Sequence, residues 1–121
     1  SGPSSLMLAL MASGLNGQSF AFLGYIPAKT DERRQALKSI EKHSAAERQT
    51  KIFIETPYRN DSLFSDILSV CQSSTELCIA ANITMPDAFI RTKTISEWKR
   101  LVASGNEVIG KRPCVFLILA H

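Results

Sequence analysis

The sequence has no apolar run close to the roughly 20 residues that a membrane-spanning helix needs. The apolar stretch at residues 6–11 is too short, and it has no basic flank of the kind that signal peptides carry. A P-loop, a dinucleotide fingerprint, a nucleophile elbow, a metalloprotease motif and internal repeats are also absent. These absences exclude the common motif-based enzyme classes, and we expect a soluble, cytoplasmic protein without a membrane partner.

Residues that ligate metals are scarce. His43 and His121 are the histidines, and Cys71, Cys78 and Cys114 lie in apolar patterns at unrelated spacings. Since a zinc site needs His or Cys ligands at recognisable spacing, we expect no metal site. The cysteines are interpreted as small core residues of a reducing compartment, without a disulfide.

The remaining composition is that of an ordinary globular domain. With 121 residues, of which 45% are hydrophobic and 21% are charged, the chain can bury one moderate core. Its net charge of +3 permits an anionic partner without requiring one. The sequence therefore predicts a single α/β domain.

A strand, a charged loop and a helix follow one another in the middle of the chain. Residues 51–54 have the β-branched and aromatic composition of a strand that is covered on both faces. Pro57 lacks an amide hydrogen and ends the strand beyond Glu55, and Asn60 or Asp61 can cap the following helix.

Ligands of open α/β sheets bind outside the carboxyl ends of strands. This strand end carries Glu55, Tyr58 and Arg59, which makes it the candidate functional site. The alternative is that Glu55 and Arg59 pair with each other only to fix the loop.

Hydrophobic periodicity predicts the other elements and a mixed sheet of about five strands flanked by helices. Thr30 is expected to cap a second helix and Thr94 or Ser96 a last one, in which Trp98 faces the core. The strands at 77–83 and 88–94 should form an antiparallel hairpin. Further helices are predicted at about 5–13 and from 61 to 71, and further strands at 20–23, at 50–55 and, also inside the sheet, at 114–120.

Three cations, Lys29, Arg33 and Arg34, cluster at the start of the second helix, where they oppose the helix dipole. They are candidates for phosphate contacts, although a solvated helix face carries similar charges. Ser4 and Ser5 at the amino terminus offer hydroxyls and amides to a carboxylate or a ribose, as a plain capping turn also would.

Four short motifs together resemble the carboxyl-terminal half of tetrapyrrole methylase-like methyltransferases. They are Gly-Pro-Ser-Ser at 2–5, Ala-Ser-Gly-Leu at 12–15, Gly-Tyr-Ile-Pro-x-Lys-x-x-Glu-Arg at 24–33 and Ile-Glu-Thr-Pro-Tyr-Arg at 54–59. Their order and spacing are similar to those of the bacterial small-subunit ribosomal RNA ribose 2′-O-methyltransferase branch.

The resemblance implies a two-domain enzyme that binds S-adenosylmethionine between its halves, of which this chain is the second and the amino-terminal cofactor-loop domain is absent. Glu55 becomes the one weak candidate for a catalytic base. The implied substrate contacts, to ribosomal RNA, are Lys29, Arg33, Tyr58 and Arg59, with Tyr58 standing where the branch has histidine. The implied cofactor contacts are Ser4, Ser5, Glu55, Ala81, Asn82 and Pro113.

The resemblance leaves the methyl acceptor open, because residues 82–87 depart from the acidic pattern of that branch. The alternatives are a non-catalytic RNA- or protein-binding domain on the same scaffold and a methylase with a small, tetrapyrrole-like acceptor. The helix at 5–13 is apolar all round, so we expect an amino-terminal domain or a second copy of the chain to pack against it. We therefore expect a homodimer, and no activity of this chain alone.

Overall fold

A computed structural model describes residues 9–15, 18–82, 85–105 and 109–121 of the chain. Within them, five strands form one mixed sheet in the order β1-β2-β5-β3-β4, with β1 and β2 parallel and the other neighbouring pairs antiparallel. This confirms the predicted fold class. None of the described helices is long and apolar enough to cross a membrane. The elements are α1 (residues 9–13), β1 (Phe20–Tyr25), α2 (Thr30–Glu47), β2 (Thr50–Ile54), a 3-10 turn (Pro57–Arg59), α3 (Asn60–Val70), β3 (Glu76–Ala81), β4 (Phe89–Thr94), α4 (Ile95–Ala103) and β5 (Cys114–Leu119).

The two strands that were predicted to be interior, β2 and β5, lie inside the sheet. β5 is inserted between β2 and β3, so each of its backbone edges is paired. Phe53 of β2 lies opposite Phe116 of β5, both are fully buried, and their stacked ring centroids are 6.0 Å apart.

Side chains of β3 alternate between two apolar layers, because successive residues of a strand point to opposite faces. Leu77 and Ile79 belong to the larger layer, which α2, α3 and α4 cover. Cys78 and Ala80 belong to the smaller layer, which the helical residues Ala9 and Leu10 cover. The face of β3 that carries small residues is therefore a packed face.

Thr94 caps α4 in a reciprocal arrangement with Glu97. The amide of Glu97 donates to Thr94 Oγ1 at 3.2 Å, and the amide of Thr94 donates to Glu97 Oε1 at 2.9 Å. Of the two predicted caps, Thr94 is thus the one used, and Ser96 is not. Trp98 is fully buried and donates from Nε1 to the carbonyl of Leu77 at 2.8 Å, which confirms its predicted place in the core.

Two other predicted helix caps are wrong. In α2 the residue before the first helical residue is Lys29, not Thr30. In α3 it is Arg59, not Asn60 or Asp61. Neither Lys29 nor Arg59 makes a side-chain cap. The 3-10 turn runs directly into α3, so Asn60 is already helical. Its side-chain amide donates instead to the carbonyl of Arg112 at 2.6 Å.

All three cysteines are buried and free, as predicted. Burial raises the pKa of Cys71 and Cys114 from 9.0 to about 12, and it also raises the pKa of Cys78. Their thiols are therefore neutral apolar core groups at physiological pH.

Candidate nucleic-acid interface

The loops that carry the predicted site residues meet at one edge of the sheet. Because β1 and β2 are parallel, both end at this edge. β3 ends and β5 begins there too, since Ala81 lies opposite Cys114 and Ile54 lies opposite Val115. We call this the site edge: the described residues of the loops that follow β1 and β2, of the loop that joins β3 to β4, and of the loop that precedes β5.

Glu55 lies at the site edge directly after β2 and is only 6% exposed. Arg33 Nη2 lies 2.9 Å from its Oε2, while the amide of Thr56 donates to its Oε1 at 2.8 Å. Arg59 Nη1 lies 3.6 Å from the same Oε1. Glu55 is therefore paired with Arg59, as the alternative interpretation of the sequence predicted. Its contact with Arg33 is shorter. This geometry favours an anchoring role for Glu55 over that of a base.

Arg33 is buried under the site edge, with 1% of its surface exposed. Its guanidinium donates to the Pro27 carbonyl at 3.2 Å, to Ser62 Oγ at 2.9 Å, to Asp66 Oδ2 at 3.2 Å and to Glu55. These bonds tie the loop after β1, the end of β2 and helix α3 together. The placement does not support the expected phosphate contact of Arg33, because its charge is balanced by two internal carboxylates.

The other two cations of this helix start remain at the surface. Lys29 is exposed on the loop that follows β1. Arg34 pairs with Asp66 at 3.2 Å, but 47% of its side chain is exposed. Lys29 therefore remains available to an anionic ligand at the site edge, while Arg34 supports the network of Arg33 from outside.

Tyr58 and Arg59 form an exposed stack at the carboxyl end of β2. The guanidinium carbon of Arg59 lies 4.8 Å from the centre of the Tyr58 ring. Tyr58 is 65% exposed and the side chain of Arg59 is 39% exposed. A guanidinium on an aromatic ring is a flat cationic surface, which suits a nucleobase or a phosphate.

Three of the predicted cofactor contacts come together on the other side of β5. Ala81 is fully buried, and the amide of Asn82 donates to the carbonyl of Pro113 at 3.0 Å. Asn82 has a φ of 51°, which is uncommon for a residue other than glycine, and its side-chain amide donates to Asp87 at 3.1 Å. Glu55 shares the edge with these residues, whereas Ser4 and Ser5 lie outside the described residues.

Sequence reasoning missed a second stack of arginine on an aromatic ring. The guanidinium carbons of Arg91 and Arg112 lie 4.8 Å and 5.2 Å from the centre of the Phe89 ring. The spacing of Phe89 and Arg91 predicts a shared strand face, but nothing in the sequence brings Arg112 to it. This contact depends on the pairing of β3 with both β4 and β5.

Sequence relatives of the chain are ribosomal RNA methyltransferases, although no family profile matches it. Ribosomal RNA small subunit methyltransferase I of Vibrio cholerae is 35% identical over 96 residues, covering 79% of this chain and 32% of that protein. The protein of the same name from Escherichia coli O157:H7 is 39% identical over 83 residues, covering 69% and 28%. That from Pseudomonas aeruginosa is 31% identical over 118 residues, covering 97% and 40%. The chain thus spans about a third of the length of these relatives.

Solved structures of methyltransferases share the fold. The methyltransferase CobJ superposes with a TM-score of 0.57 at 14% identity, covering 95% of this chain and 47% of that one. The cobalamin biosynthetic enzyme cobalt precorrin-4 methyltransferase, CbiF, gives 0.59 at 12% identity, covering 95% and 48%. At these identities the likeness concerns the fold alone. Fold and sequence relatives together show that the chain is a tetrapyrrole methylase-like carboxyl-terminal domain, similar to part of ribosomal RNA small subunit methyltransferase I.

Proposed function

We propose that the chain supplies the carboxyl-terminal half of an S-adenosylmethionine-dependent methyltransferase that acts on a ribose 2′-hydroxyl of ribosomal RNA. One observation carries this proposal: in a chain whose relatives are ribosomal RNA methyltransferases, the exposed Tyr58–Arg59 stack stands at the carboxyl end of an interior strand. That position is where α/β sheets bind their ligands.

The site edge has acceptor atoms that fit the cofactor. Thr56 Oγ1 and Asn60 Oδ1 are buried there without a hydrogen-bond partner among the described residues. The amino and hydroxyl groups of S-adenosylmethionine are donors, which such acceptors require. We propose that Glu55, Ala81, Asn82 and Pro113 hold it along this edge, and that Ser4 and Ser5, which lie outside the described residues, also contact it.

The chain contributes to methyl transfer by alignment. The methyl group and its leaving group are supplied by S-adenosylmethionine when it is bound, so the protein must above all orient the acceptor oxygen and exclude water. Arg59 and Lys29 would hold the phosphates on either side of that ribose. Glu55 holds Arg59 in position through an ion pair, and Arg33 holds Glu55 in position through a second ion pair. Of the expected substrate contacts, Lys29, Tyr58 and Arg59 remain in this proposal.

We also propose that an amino-terminal domain of the same protein, and a second copy of the chain, cover its exposed apolar surface. Met11 of α1 is 74% exposed, and Phe22 and Tyr25 of β1 are 47% and 65% exposed. The greater length of the relatives leaves room for such a domain. We also propose a cytoplasmic location, because the proposed substrate is ribosomal RNA.

Calorimetric titration with S-adenosylmethionine tests the cofactor proposal. We expect clear binding to the full-length parent protein and little or none to the 121-residue chain, since one wall of a cleft cannot desolvate the ligand. Tight binding to the chain alone would contradict the two-domain arrangement. If the parent binds RNA but not S-adenosylmethionine, the result would support the alternative function, a non-catalytic RNA-binding domain, instead of the enzyme.

Methylation of purified small ribosomal subunits by the parent tests the substrate proposal. Replacing Arg59 by Gln should lower kcat/KM by a factor of about 10 to 100, because a charge-assisted hydrogen bond to phosphate is worth about 1.5 to 3 kcal/mol. Arg48→Gln is the matched control, because Arg48 precedes β2 at the opposite end of the sheet. Equal losses in both variants, or no methyl incorporation by the parent, would contradict the proposal.

A further inference from the structure

We infer that the stack of Phe89, Arg91 and Arg112 is a second RNA contact, which binds single-stranded nucleotides next to the methylated one. This inference rests on the proposed function and extends it to residues outside the motifs that define the family resemblance. We call these three residues the distal stack.

The geometry of the distal stack suits unpaired nucleotides. Two guanidinium groups lie within 5.2 Å of the centre of one ring, and Arg91 is exposed. Phe89 is half-buried and packs against the larger apolar layer, so its ring is fixed. The guanidinium of Arg91 leaves its other face for a base and its N–H edge for a phosphate. Arg112 donates from Nε to the carbonyl of Ile109 at 2.8 Å, so it contributes charge and a flat surface to the stack. Bases can reach such a surface only where they are not paired in a duplex.

The distal stack lies on the same edge as Tyr58 and Arg59. Phe89 lies opposite Ala81 in the sheet, and Ala81 lies opposite Cys114 at the start of β5. The carbonyl of Arg112 accepts a hydrogen bond from Asn60, the residue directly after Arg59. The two stacks therefore flank the strand ends where the cofactor is proposed to bind, and an RNA strand along the site edge meets both.

The charge of this region favours an anionic partner, and its two stacks of arginine on an aromatic ring favour RNA over an acidic protein segment. Lys111 is exposed beside Arg112. The exposed or half-buried cations at and next to the edge outnumber the exposed carboxylates of the same region; the cations are Lys29, Arg59, Arg91, Lys111 and Arg112, and the carboxylates are Asp31, Glu32, Asp61 and Asp87. Asp87 also accepts a hydrogen bond from Asn82. Flat cationic surfaces at two separate places match the alternation of bases and phosphates along a single strand.

Fluorescence anisotropy with a fluorescein-labelled, single-stranded RNA of about 12 nucleotides and mixed sequence tests the inference on this chain. Arg91→Gln should raise the Kd about three- to tenfold and should lower the slope of log K against log salt by about 0.7, the value for one lost phosphate contact on a single strand. Phe89→Leu keeps an apolar side chain but removes the ring, and it should weaken binding as well. Arg48→Gln removes the same charge at the opposite end of the sheet and should leave the Kd unchanged.

The outcomes separate the distal stack from the proposed function. Suppose that Arg59→Gln weakens binding while Arg91→Gln and Phe89→Leu have the same Kd as the unsubstituted chain. Then the distal stack is not an RNA contact, and the proposed substrate is unaffected. If Arg91→Gln and Arg48→Gln weaken binding equally, the effect is one of net charge and the inference fails. Absence of RNA binding by the unsubstituted chain would overturn the distal stack, whereas methylation by the parent would still decide the proposed function. Circular dichroism melting curves show whether each variant is folded.

Discussion

Arg33 Nη2 lies 2.9 Å from Glu55 Oε2, and the two side chains are only 1% and 2% exposed. An ion pair removed from water stabilises a protein only if its remaining donors and acceptors are also bonded. Here they are, because Arg33 also donates to Pro27, Ser62 and Asp66. The charge at the start of α2 thus organises the site edge from inside the domain.

Removing this buried arginine should destabilise the domain strongly. Arg33→Met leaves Glu55 and Asp66 buried without their main cation, and we expect the free energy of unfolding to fall by about 3 to 5 kcal/mol in urea titrations. Arg34→Met is the control, because Arg34 pairs with the same Asp66 but is half exposed. It should change the free energy by about 1 kcal/mol or less. Similar losses in both variants would mean that the pair of Arg33 with Glu55 contributes nothing of its own.

The ring of Tyr58, rather than its hydroxyl, should matter for RNA binding. Tyr58→Ala removes the surface on which Arg59 is stacked, and we expect the affinity for single-stranded RNA to fall by about 1 kcal/mol, roughly fivefold. Tyr58→Phe keeps the ring and should bind as the unsubstituted chain does. Since Tyr58 is 65% exposed, both variants should keep their melting temperature. A loss of affinity in the Phe variant would assign the contact to the hydroxyl.

The Thr94 cap of α4 should contribute about 1 kcal/mol to the free energy of unfolding at neutral pH. Thr94→Ala removes the acceptor for the Glu97 amide, whereas Ser96→Ala leaves the cap intact and should change stability little. Thermal unfolding of the two variants compares them directly. Equal melting temperatures for the two would show that the reciprocal bonds do not stabilise α4.

The same cap should weaken in acid. The amide and hydroxyl of Thr94 hold the pKa of Glu97 below its usual value of 4.5. A carboxylate with a lowered pKa stabilises the fold above its unfolded pKa, and this contribution is lost as the pH falls through the folded pKa. The difference in the free energy of unfolding between the unsubstituted chain and Glu97→Gln should therefore shrink when the pH is lowered from about 7 to about 3. A difference independent of pH would contradict this linkage.

The buried thiols should make the domain sensitive to alkali. The pKa of Cys71 and Cys114 is raised from 9.0 to about 12 in the folded chain. Their contribution to the free energy of unfolding is complete below pH 9.0, which is the pKa of the unfolded thiols. It is lost as the pH rises toward 12, because in that range the thiols ionise only in the unfolded chain. We expect urea stability to fall above pH 9.0 and to fall less in Cys71→Val. A thiol reagent should label the native chain only as fast as it unfolds, and rapid labelling would contradict the burial.

The periodic parts of the fold could be predicted from the sequence. Leu77 and Ile79 alternate with Cys78 and Ala80, and this period of two survives in the structure because both faces of β3 are packed. Cap positions were less predictable. Asn60 has a good capping side chain, but whether it is used depends on the backbone of the preceding 3-10 turn, which local composition does not define.

The position of the candidate site on the fold could be predicted from the sequence, but the contacts within it could not. Glu55 and Arg59 follow an interior strand, so their place at a strand end was predictable. The partners of Arg33 are 22 residues away at Glu55 and 33 residues away at Asp66, and they meet it only after the sheet and helices have packed. The same is true of Arg112, which reaches Phe89 only through the order of the strands.

The insertion of β5 between β2 and β3 also determines when the domain can fold. A chain leaving the ribosome can form the β1–β2 pair and the β3–β4 hairpin early, but the two pairs share no hydrogen bonds until β5 has emerged. Until then, the inner edges of β2 and β3 are open to wrong pairing. The contacts of β5 with β2 are also distant in sequence, which slows folding. Cooperative folding must therefore wait for Cys114–Leu119 to leave the exit tunnel.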